Sequence, residues 1–271
     1  MHAHRLFLAP AAVVACLALV PPTATAAECG GSVACPVEGG EYRIALPPGG
    51  AATGAYVFFH GYRGSAEGQM KSASLIEVAH RHGLAFVAPD GAGRTWSHPG
   101  APSRNRDEIR FVAAVLDDLE ARFGFGADEV VAGGFSQGAS MALYALCAHP
   151  ARFAGAVTFA GVFWSPIPEA QDCAGPPPPI VHIHGRSDGI FPLAGRPIGE
   201  SWRQADTFDS MAVLAEAGAC AAEPAAAGIL PDMDCTVTAG CAREPMALCL
   251  HAGGHEVRAP WLDAALDALG Q

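Results

Sequence analysis

From residue 41 onward, short apolar segments alternate with amphipathic segments of helical periodicity. The apolar segments cover residues 41–46, 55–59, 84–88, 129–135, 155–159, 179–184 and 246–251. Strands that alternate with helices pair mainly in parallel, and the helices cover both faces of the resulting sheet. The alternation therefore predicts one α/β domain with a mainly parallel central sheet and helices on both faces.

The predicted helices between these strands have recognisable ends. Ser65 can cap a helix that stops at Gly83, and Asn105 with Glu108 resembles a capping box for a helix that ends at Gly124. The remaining predictions are helices over residues 137–149 and 260–269 and loops over residues 165–179 and 195–204.

Composition and charge narrow the class of protein. With 271 residues, of which 51% are hydrophobic and 16% charged, the chain can bury a large core. Its formal net charge of -11 repels nucleic acid and anionic membranes. We therefore expect no nucleic-acid partner.

The first 27 residues predict a bacterial secretory signal. Arg5 precedes an apolar run, and small residues near Ala26 and Ala27 suit a cleavage site. A membrane anchor is disfavoured because the run is shorter than the roughly 20 residues that span a bilayer. A lipoprotein attached through Cys16 is the alternative. We therefore expect residues 28–271 to form the catalytic domain of a secreted or periplasmic protein with no membrane span.

An even number of cysteines follows the predicted signal, which suggests disulfides in an exported chain. Their positions suggest the pairs Cys29 with Cys35, Cys147 with Cys173, Cys220 with Cys241 and Cys235 with Cys249, although sequence leaves the connectivity open. A zinc cluster is disfavoured because no C-x-x-C pair is present. We expect neither a metal nor a cofactor.

Residues 134–138, Gly-Phe-Ser-Gln-Gly, fit the G-x-S-x-G pattern. In that pattern a serine stands on a strained turn between a strand and a helix. The flanking segments suit this reading, since a β-like run precedes the motif and a run of small residues follows it. We therefore predict that Ser136 is a nucleophile, whereas the alternative is a glycine-rich turn with an incidental serine.

A serine nucleophile needs an imidazole to take its proton and a carboxylate to orient the imidazole. Asp188 follows a predicted strand by a short turn, and His255 lies in a glycine-rich loop after the last strand. Both come after Ser136, in the chain order that the motif requires. They are the predicted acid and base. The rival acids are Asp172, Asp206 and Asp209, and His182 and His184 are expected to be packed in a buried strand.

Acyl transfer also needs donors for the developing oxyanion. The backbone amides of Gln137 and Tyr62 are the candidates, with His60 as a support for the loop before Tyr62. Arg63, in the same loop, either binds substrate or is simply exposed. Five aromatic residues on or near loops are candidate substrate contacts, with core packing as the alternative: Trp96, Phe163, Trp164, Phe191 and Trp202.

With these residues in place, the chain resembles the polyhydroxybutyrate depolymerase and feruloyl esterase group of secreted α/β-hydrolases. The resemblance is carried by His60-Gly61, Pro89-Asp90-Gly91, residues 107–111 and 134–138, His184-Gly185 with Asp188, and Gly254-His255. It implies the α/β-hydrolase fold and a serine carboxylic-ester hydrolase. The sequence of residues 134–138 is also similar to that of bacterial carboxylesterases related to acyl-protein thioesterases.

Ester hydrolysis through an acyl-enzyme is therefore the expected activity. The expected substrates are hydroxybutyrate oligomers, hydroxycinnamoyl esters of plant sugars and acetylated sugars such as acetylxylan. Two alternatives remain, namely a secreted serine peptidase with the same triad and a non-catalytic binding protein that keeps the fold.

Overall fold

The computed structural model describes residue 1 and residues 29–271. Apart from Met1, the predicted secretory signal with Cys16 lies outside the described residues. The strands of the described part are β1 (Cys35–Val37), β2 (Gly40–Ala45), β3 (Gly54–Phe59), β4 (Leu84–Pro89), β5 (Val130–Phe135), β6 (Gly155–Phe159), β7 (Ile180–Gly185), β8 (Arg196–Ile198), β9 (Trp202–Gln204), β10 (Ala225–Ala226), β11 (Asp234–Thr238) and β12 (Met246–His251). Its α-helices are α1 (Ala66–Gln69), α2 (Ala73–Arg81), α3 (Glu108–Phe123), α4 (Gln137–Ala148), α5 (Thr207–Ala217) and α6 (Ala259–Ala268).

Most strands form one sheet in the order β1-β2-β4-β3-β5-β6-β7-β12-β11-β10. The central strands, from β4 to β12, pair in parallel. The strands at both edges pair antiparallel, and β8 with β9 forms a separate hairpin. The predicted mainly parallel sheet is therefore confirmed.

Helices cover both faces of this sheet, as predicted. Along β3, Ala55, Val57 and Phe59 contribute to one apolar cluster, together with residues of α3, α4 and α5. Tyr56 and Phe58 point the other way and join a second cluster with α1, α2 and α6. This alternation is the two-residue period of a strand that is buried on both faces.

Ser65 caps a helix as predicted, and the chain leaves the helical conformation at Gly83. Two other features of the predicted helices are wrong. The helix expected from Ser65 to Gly83 is interrupted, because Ser72 leaves the helical conformation before α2 begins. Helix α3 is capped by Asp107, whose carboxylate accepts a hydrogen bond from the Arg110 amide, and not by Asn105. The Asn105 side chain instead donates to the Ala92 carbonyl oxygen.

Two further elements differ from the sequence expectation. Helix α5 is not predicted, because its mostly small and apolar residues lack a clear helical period, although Asp206 caps it. Residues 195–204, expected as a loop, contain the hairpin of β8 and β9.

All four predicted cysteine pairs are present as disulfides in the structure. Cys235 and Cys249 lie opposite each other in the register of β11 and β12. Within residues 29–271, none of the helices has the length and apolar character needed to cross a membrane.

Candidate active site

Ser136 occupies a sharp turn between β5 and α4. Its backbone has φ 61° and ψ -129°, a conformation that a residue with a side chain rarely adopts. The flanking glycines make room for this turn. A Cβ on Gly138 would lie 2.0 Å from the Phe59 carbonyl oxygen, and one on Gly134 would lie 2.5 Å from the carbonyl carbon of Gly138. The sequence pattern therefore corresponds to a real backbone constraint.

Asp188 and His255 form a hydrogen-bonded pair. The Nδ1 of His255 lies 2.7 Å from Oδ2 of Asp188. The other carboxylate oxygen of Asp188 accepts hydrogen bonds of 2.8 Å from the amides of Ile190 and Phe191. Asp188 follows β7, Ser136 follows β5 and His255 follows β12, so all three lie beyond the carboxyl ends of parallel strands, where ligand sites of open α/β sheets form.

These contacts determine the protonation of the pair. Burial by itself raises the pKa of Asp188, but the hydrogen bonds from His255 and the two amides outweigh burial, so its pKa lies below the usual value. An ionised carboxylate only accepts hydrogen bonds, so Nδ1 of His255 carries the proton. In the neutral imidazole the other ring nitrogen, Nε2, is then free to accept a proton.

Aromatic rings hold the imidazole in place from two sides. Phe191 stacks on His255 with ring planes 6° apart and centroids at 5.7 Å. Phe135, the residue before Ser136, lies with its ring centroid 4.5 Å from that of His255. Among the hydrogen bonds of the described residues, none joins Ser136 to His255. Catalytic hydrogen bonds are often long in structures without substrate.

The expected oxyanion donors are the residue after Ser136 and a residue of a neighbouring loop. Gln137 is the first residue of α4, where helical amides lack an intrahelical partner. Its side chain is fixed, because its Oε1 accepts a hydrogen bond of 2.9 Å from the Thr95 hydroxyl. The loop with Tyr62 lies close to Ser136, since a Cβ on Gly61 would lie 3.4 Å from the Ser136 Cβ.

His60 supports that loop through hydrogen bonds. Its Nδ1 lies 2.8 Å from the Gly61 carbonyl oxygen, and its Nε2 accepts a hydrogen bond from the Gly91 amide. The indole of Trp96 donates to the His60 carbonyl oxygen at 2.7 Å. Burial lowers the pKa of His60, which favours the neutral ring that these contacts require.

A cleft of about 500 Å³ opens at Ser136. Its lining residues are Tyr62, Gly93, Thr95, Pro102, Ser103, Ser136, Gln137, Trp164, Ile190, Phe191, Arg196, Ile198 and Gln204. The volume lies within the range of small-molecule sites, and most of the lining is apolar or neutral.

The predicted aromatic contacts fall into different environments. Trp164 and Phe191 line the cleft. Trp96 and Phe163 are fully buried in the core and do not line it, so they act as packing residues in this structure. Trp202 lies in β9 with 38% of its surface exposed, outside the cleft lining.

Sequence reasoning missed several lining residues, and their environments explain why. Ile190, Arg196, Ile198 and Gln204 come to the cleft through the loop after Asp188 and the β8–β9 hairpin. No motif marks these positions. The glycine and proline residues around the hairpin indicated only an irregular segment over the sheet edge.

His182 and His184 are packed and hydrogen-bonded in β7, as predicted. The Thr158 hydroxyl lies 2.8 Å from Nδ1 of His182, and Nε2 of His182 lies 3.1 Å from Nδ1 of His184. Nε2 of His184 lies 2.7 Å from the Phe191 carbonyl oxygen. Burial lowers the pKa of both rings, so the neutral forms pass hydrogen bonds in one direction from Thr158 to Phe191. The row of neutral rings supports the loop that follows Asp188.

Two of the three rival acids, Asp206 and Asp172, have other contacts. Asp206 caps α5 by accepting hydrogen bonds from the amides of Phe208 and Asp209. Asp172 accepts a hydrogen bond from the Glu169 amide. Neither contacts a histidine among the described residues.

The chain is similar in sequence to known esterases. Residues 107–200, which include Ser136 and Asp188, match the phospholipase/carboxylesterase family. The chain is 32% identical over 162 residues to "Putative esterase NocK" of Nocardia uniformis, a match that covers 57% of this chain and 46% of that protein. It is 28% identical over 122 residues to feruloyl esterase C of Emericella nidulans, with 44% and 41% of the two chains covered. The chain thus matches less than half the length of either relative.

Solved structures agree on the fold. Acetyl xylan esterase from Aspergillus awamori superposes with a TM-score of 0.60 at 14% identity, covering 85% of this chain and 93% of that one. A phospholipase/carboxylesterase from Dyadobacter fermentans gives a TM-score of 0.56 at 16% identity, covering 85% and 96%. At such identities the likeness concerns the α/β-hydrolase fold alone.

Proposed function

Starting from an α/β-hydrolase fold and relatives that carry esterase names, we propose that this chain is a serine carboxylic-ester hydrolase that works through an acyl-enzyme. One observation carries the proposal. The strained turn of Ser136 opens on the same cleft as Phe191, whose ring stacks on an imidazole that is hydrogen-bonded to a buried carboxylate. This arrangement supports the proposed roles of Ser136 as nucleophile, His255 as base and Asp188 as orienting acid.

In the proposed reaction, Ser136 Oγ attacks the ester carbonyl carbon while Nε2 of His255 takes the hydroxyl proton. Asp188 stabilises the imidazolium that forms. The amides of Gln137 and Tyr62 donate to the oxyanion, and one such donor contributes roughly 3 kcal/mol to the transition state in serine hydrolases. The imidazolium then protonates the leaving alcohol, and water hydrolyses the acyl-enzyme by the same steps.

The cleft supports substrates with a modest acyl group. Its volume of about 500 Å³ and its apolar wall of Trp164, Phe191 and Ile198 fit a hydroxycinnamoyl, acetyl or hydroxybutyryl group. The name of feruloyl esterase C, one of the relatives, favours the first. We therefore propose feruloyl, acetylxylan or hydroxybutyrate esters as substrates.

We further propose that the protein works outside the cytoplasm. The four disulfides support this location, because such bonds persist in oxidising compartments. The predicted secretory signal over the first 27 residues supports it as well.

A panel of hydrolysis assays tests the proposal. Purified protein is assayed with 4-nitrophenyl esters of two to eight acyl carbons, methyl ferulate, acetylated xylan and amorphous polyhydroxybutyrate, with peptide 4-nitroanilides alongside. We expect ester turnover that disappears in the S136A variant. Turnover of the anilides without turnover of short esters identifies a peptidase, and turnover of neither class in folded protein refutes the enzymatic proposal.

A further inference from the structure

The arginines of this acidic chain are distributed unevenly. In the described residues, seven arginines form salt bridges with carboxylates, as in Arg81 with Asp263 and Arg152 with Asp117. Of the seven described arginines without a carboxylate partner within salt-bridge distance, Arg43 and Arg243 lie away from the cleft lining and donate to backbone carbonyl oxygens. The other five form a group in which each member lines the cleft or adjoins a lining residue in sequence. This group, which we call the cleft arginines, consists of Arg63, Arg94, Arg104, Arg196 and Arg203.

Arg196 stands inside the cleft. Its Nε donates to the Ile190 carbonyl oxygen at 2.8 Å and to Oε1 of Gln204 at 3.2 Å. No acceptor in the described residues is bound to its two Nη groups. Of the residues that line the cleft with Ser136, Arg196 alone is charged. The guanidinium is thus fixed through one nitrogen and leaves two adjacent nitrogens for a ligand.

Two further cleft arginines, Arg94 and Arg104, are held beside the lining by backbone carbonyl groups, and Arg63 lies against an aromatic ring. Arg94 donates to the carbonyl oxygens of Arg63 and Gly64, and the Arg63 guanidinium lies 5.3 Å from the ring centroid of Tyr62. Arg104 donates to the Ser103 carbonyl oxygen at 2.7 Å. Hydrogen bonds to carbonyl oxygens leave the positive charge of each guanidinium uncompensated. In a chain of net charge -11, the entrance of the cleft beside these arginines is a local region of positive charge.

The carboxylates next to the cleft wall in sequence, Asp188 and Glu200, form no salt bridge with the cleft arginines among the described residues. Asp188 is buried, and its oxygens accept hydrogen bonds from His255, Ile190 and Phe191. Glu200 lies between β8 and β9 and forms no salt bridge with Arg196. A positive field with low-dielectric walls attracts an anionic substrate and raises its local concentration.

From this arrangement, and resting on the proposed ester hydrolysis, we infer that the cleft takes esters whose acyl or alcohol part carries a carboxylate. Arg196 is the residue that binds the carboxylate. Two free Nη groups match the two oxygens of a carboxylate in a bidentate pair. The single guanidinium inside the cleft suits a singly charged group.

Two matched pairs of esters test this inference on the full chain. In the first pair the acyl part differs, as in 4-nitrophenyl hexanoate against the 4-nitrophenyl monoester of adipic acid. In the second pair the alcohol part differs, as in the methyl ester of 4-acetoxyphenylacetic acid against the free carboxylate. We expect kcat/KM to favour the anionic member of one pair by about tenfold at low ionic strength. The pair that shows the preference identifies the side that carries the charge.

Variants separate the role of Arg196 from general charge effects. In R196Q the ratio of kcat/KM for the anionic over the neutral ester is expected to fall to about one, whereas R196K keeps part of it. The control R110Q makes the same charge change in a surface salt bridge with Glu38, outside the cleft lining, and should keep the full ratio.

Added salt provides a readout that does not depend on a variant folding. Raising the ionic strength should lower the wild-type ratio, because salt screens a partly exposed charge pair. A wild-type ratio of one or less in both pairs overturns the inference, as does a ratio that survives in folded R196Q. In either case, turnover of the neutral esters shows that the proposed ester hydrolysis still stands.

Discussion

The two sides of the cleft are built in different ways. The elbow, residues 134–138, joins β5 to a helix whose residues are buried almost throughout. The wall, residues 190–204, is a loop and a short hairpin in which Ile190 is 49% exposed. The elbow is fixed by backbone contacts that admit only glycine, whereas side-chain and backbone hydrogen bonds hold the wall over the sheet edge. The contrast indicates that the proposed chemistry depends on the elbow and substrate choice on the wall.

A substitution in the acid that joins the imidazole to the wall should have the largest effect. Asp188 contacts the imidazole with one oxygen and the wall amides with the other. In D188N the carboxamide of the new side chain no longer holds His255 with its proton on Nδ1. We therefore expect kcat to fall by up to about 10⁴-fold, as in related triads. The control D172N changes a rival acid and should retain activity within about twofold. A loss below tenfold in D188N would rule out Asp188 as the orienting acid.

The elbow should tolerate no added side chain. In G138A the new Cβ meets the Phe59 carbonyl oxygen, so the backbone must shift, and we expect a loss of about 1 to 3 kcal/mol in the free energy of unfolding. The control G228A places its Cβ in open space and should change that free energy by less than about 0.5 kcal/mol. Urea unfolding measures both. Equal stabilities for the two variants would show that the elbow is not constrained as described.

The buried His98 should make the free energy of unfolding depend on pH. This buried ring stacks on Tyr144 and lies near Trp164, and burial lowers its pKa to about 4. The unfolded value is about 6.5, so the unfolded chain binds the proton more readily. The stability contributed by neutral His98 is present above about pH 6.5 and is lost as pH falls toward 4, by about 3 kcal/mol.

Unfolding experiments at pH 7, 5.5 and 4 check this effect. In H98F the free energy of unfolding should fall less between pH 7 and pH 4 than in the wild type. Some decline should remain, because His182, His184 and Asp188 also have lowered pKa values and act in the same direction. An unchanged slope in H98F would exclude His98 as a source of the dependence.

A wall substitution should produce the smallest effect and alter selectivity. Ile198 packs against Val162, Trp164 and Phe191 at the edge of the cleft. In I198A we expect kcat/KM for a hexanoyl ester to fall by less than about tenfold, while the acetyl ester keeps its rate, since one shortened apolar contact is worth roughly 1 to 2 kcal/mol. Equal losses for both esters would mean that Ile198 supports the catalytic residues and not the acyl group.

The same contrast explains what sequence could predict. The elbow and the central strands follow from local patterns, because glycine at 134 and 138 and short continuous apolar runs have direct structural causes. The order of Ser136, Asp188 and His255 placed them after strands that prove to be close in the sheet. The wall depends on contacts far apart in sequence, such as the Ser165 amide with the Arg203 carbonyl oxygen, so Arg196 and Ile198 carry no local signal. The sequence also predicts Trp96 as a substrate contact, whereas the structure buries it. Its burial depends on the whole fold and not on neighbouring residues in the sequence.

Covalent labelling of the native protein tests the central claim most directly. A fluorophosphonate probe reacts with a serine only when a base and an oxyanion site activate it. The account predicts one probe per chain, attached to the peptide that contains Ser136, with ester hydrolysis lost in proportion to labelling and no reaction in S136A. Folded wild-type protein that leaves Ser136 unlabelled would contradict it.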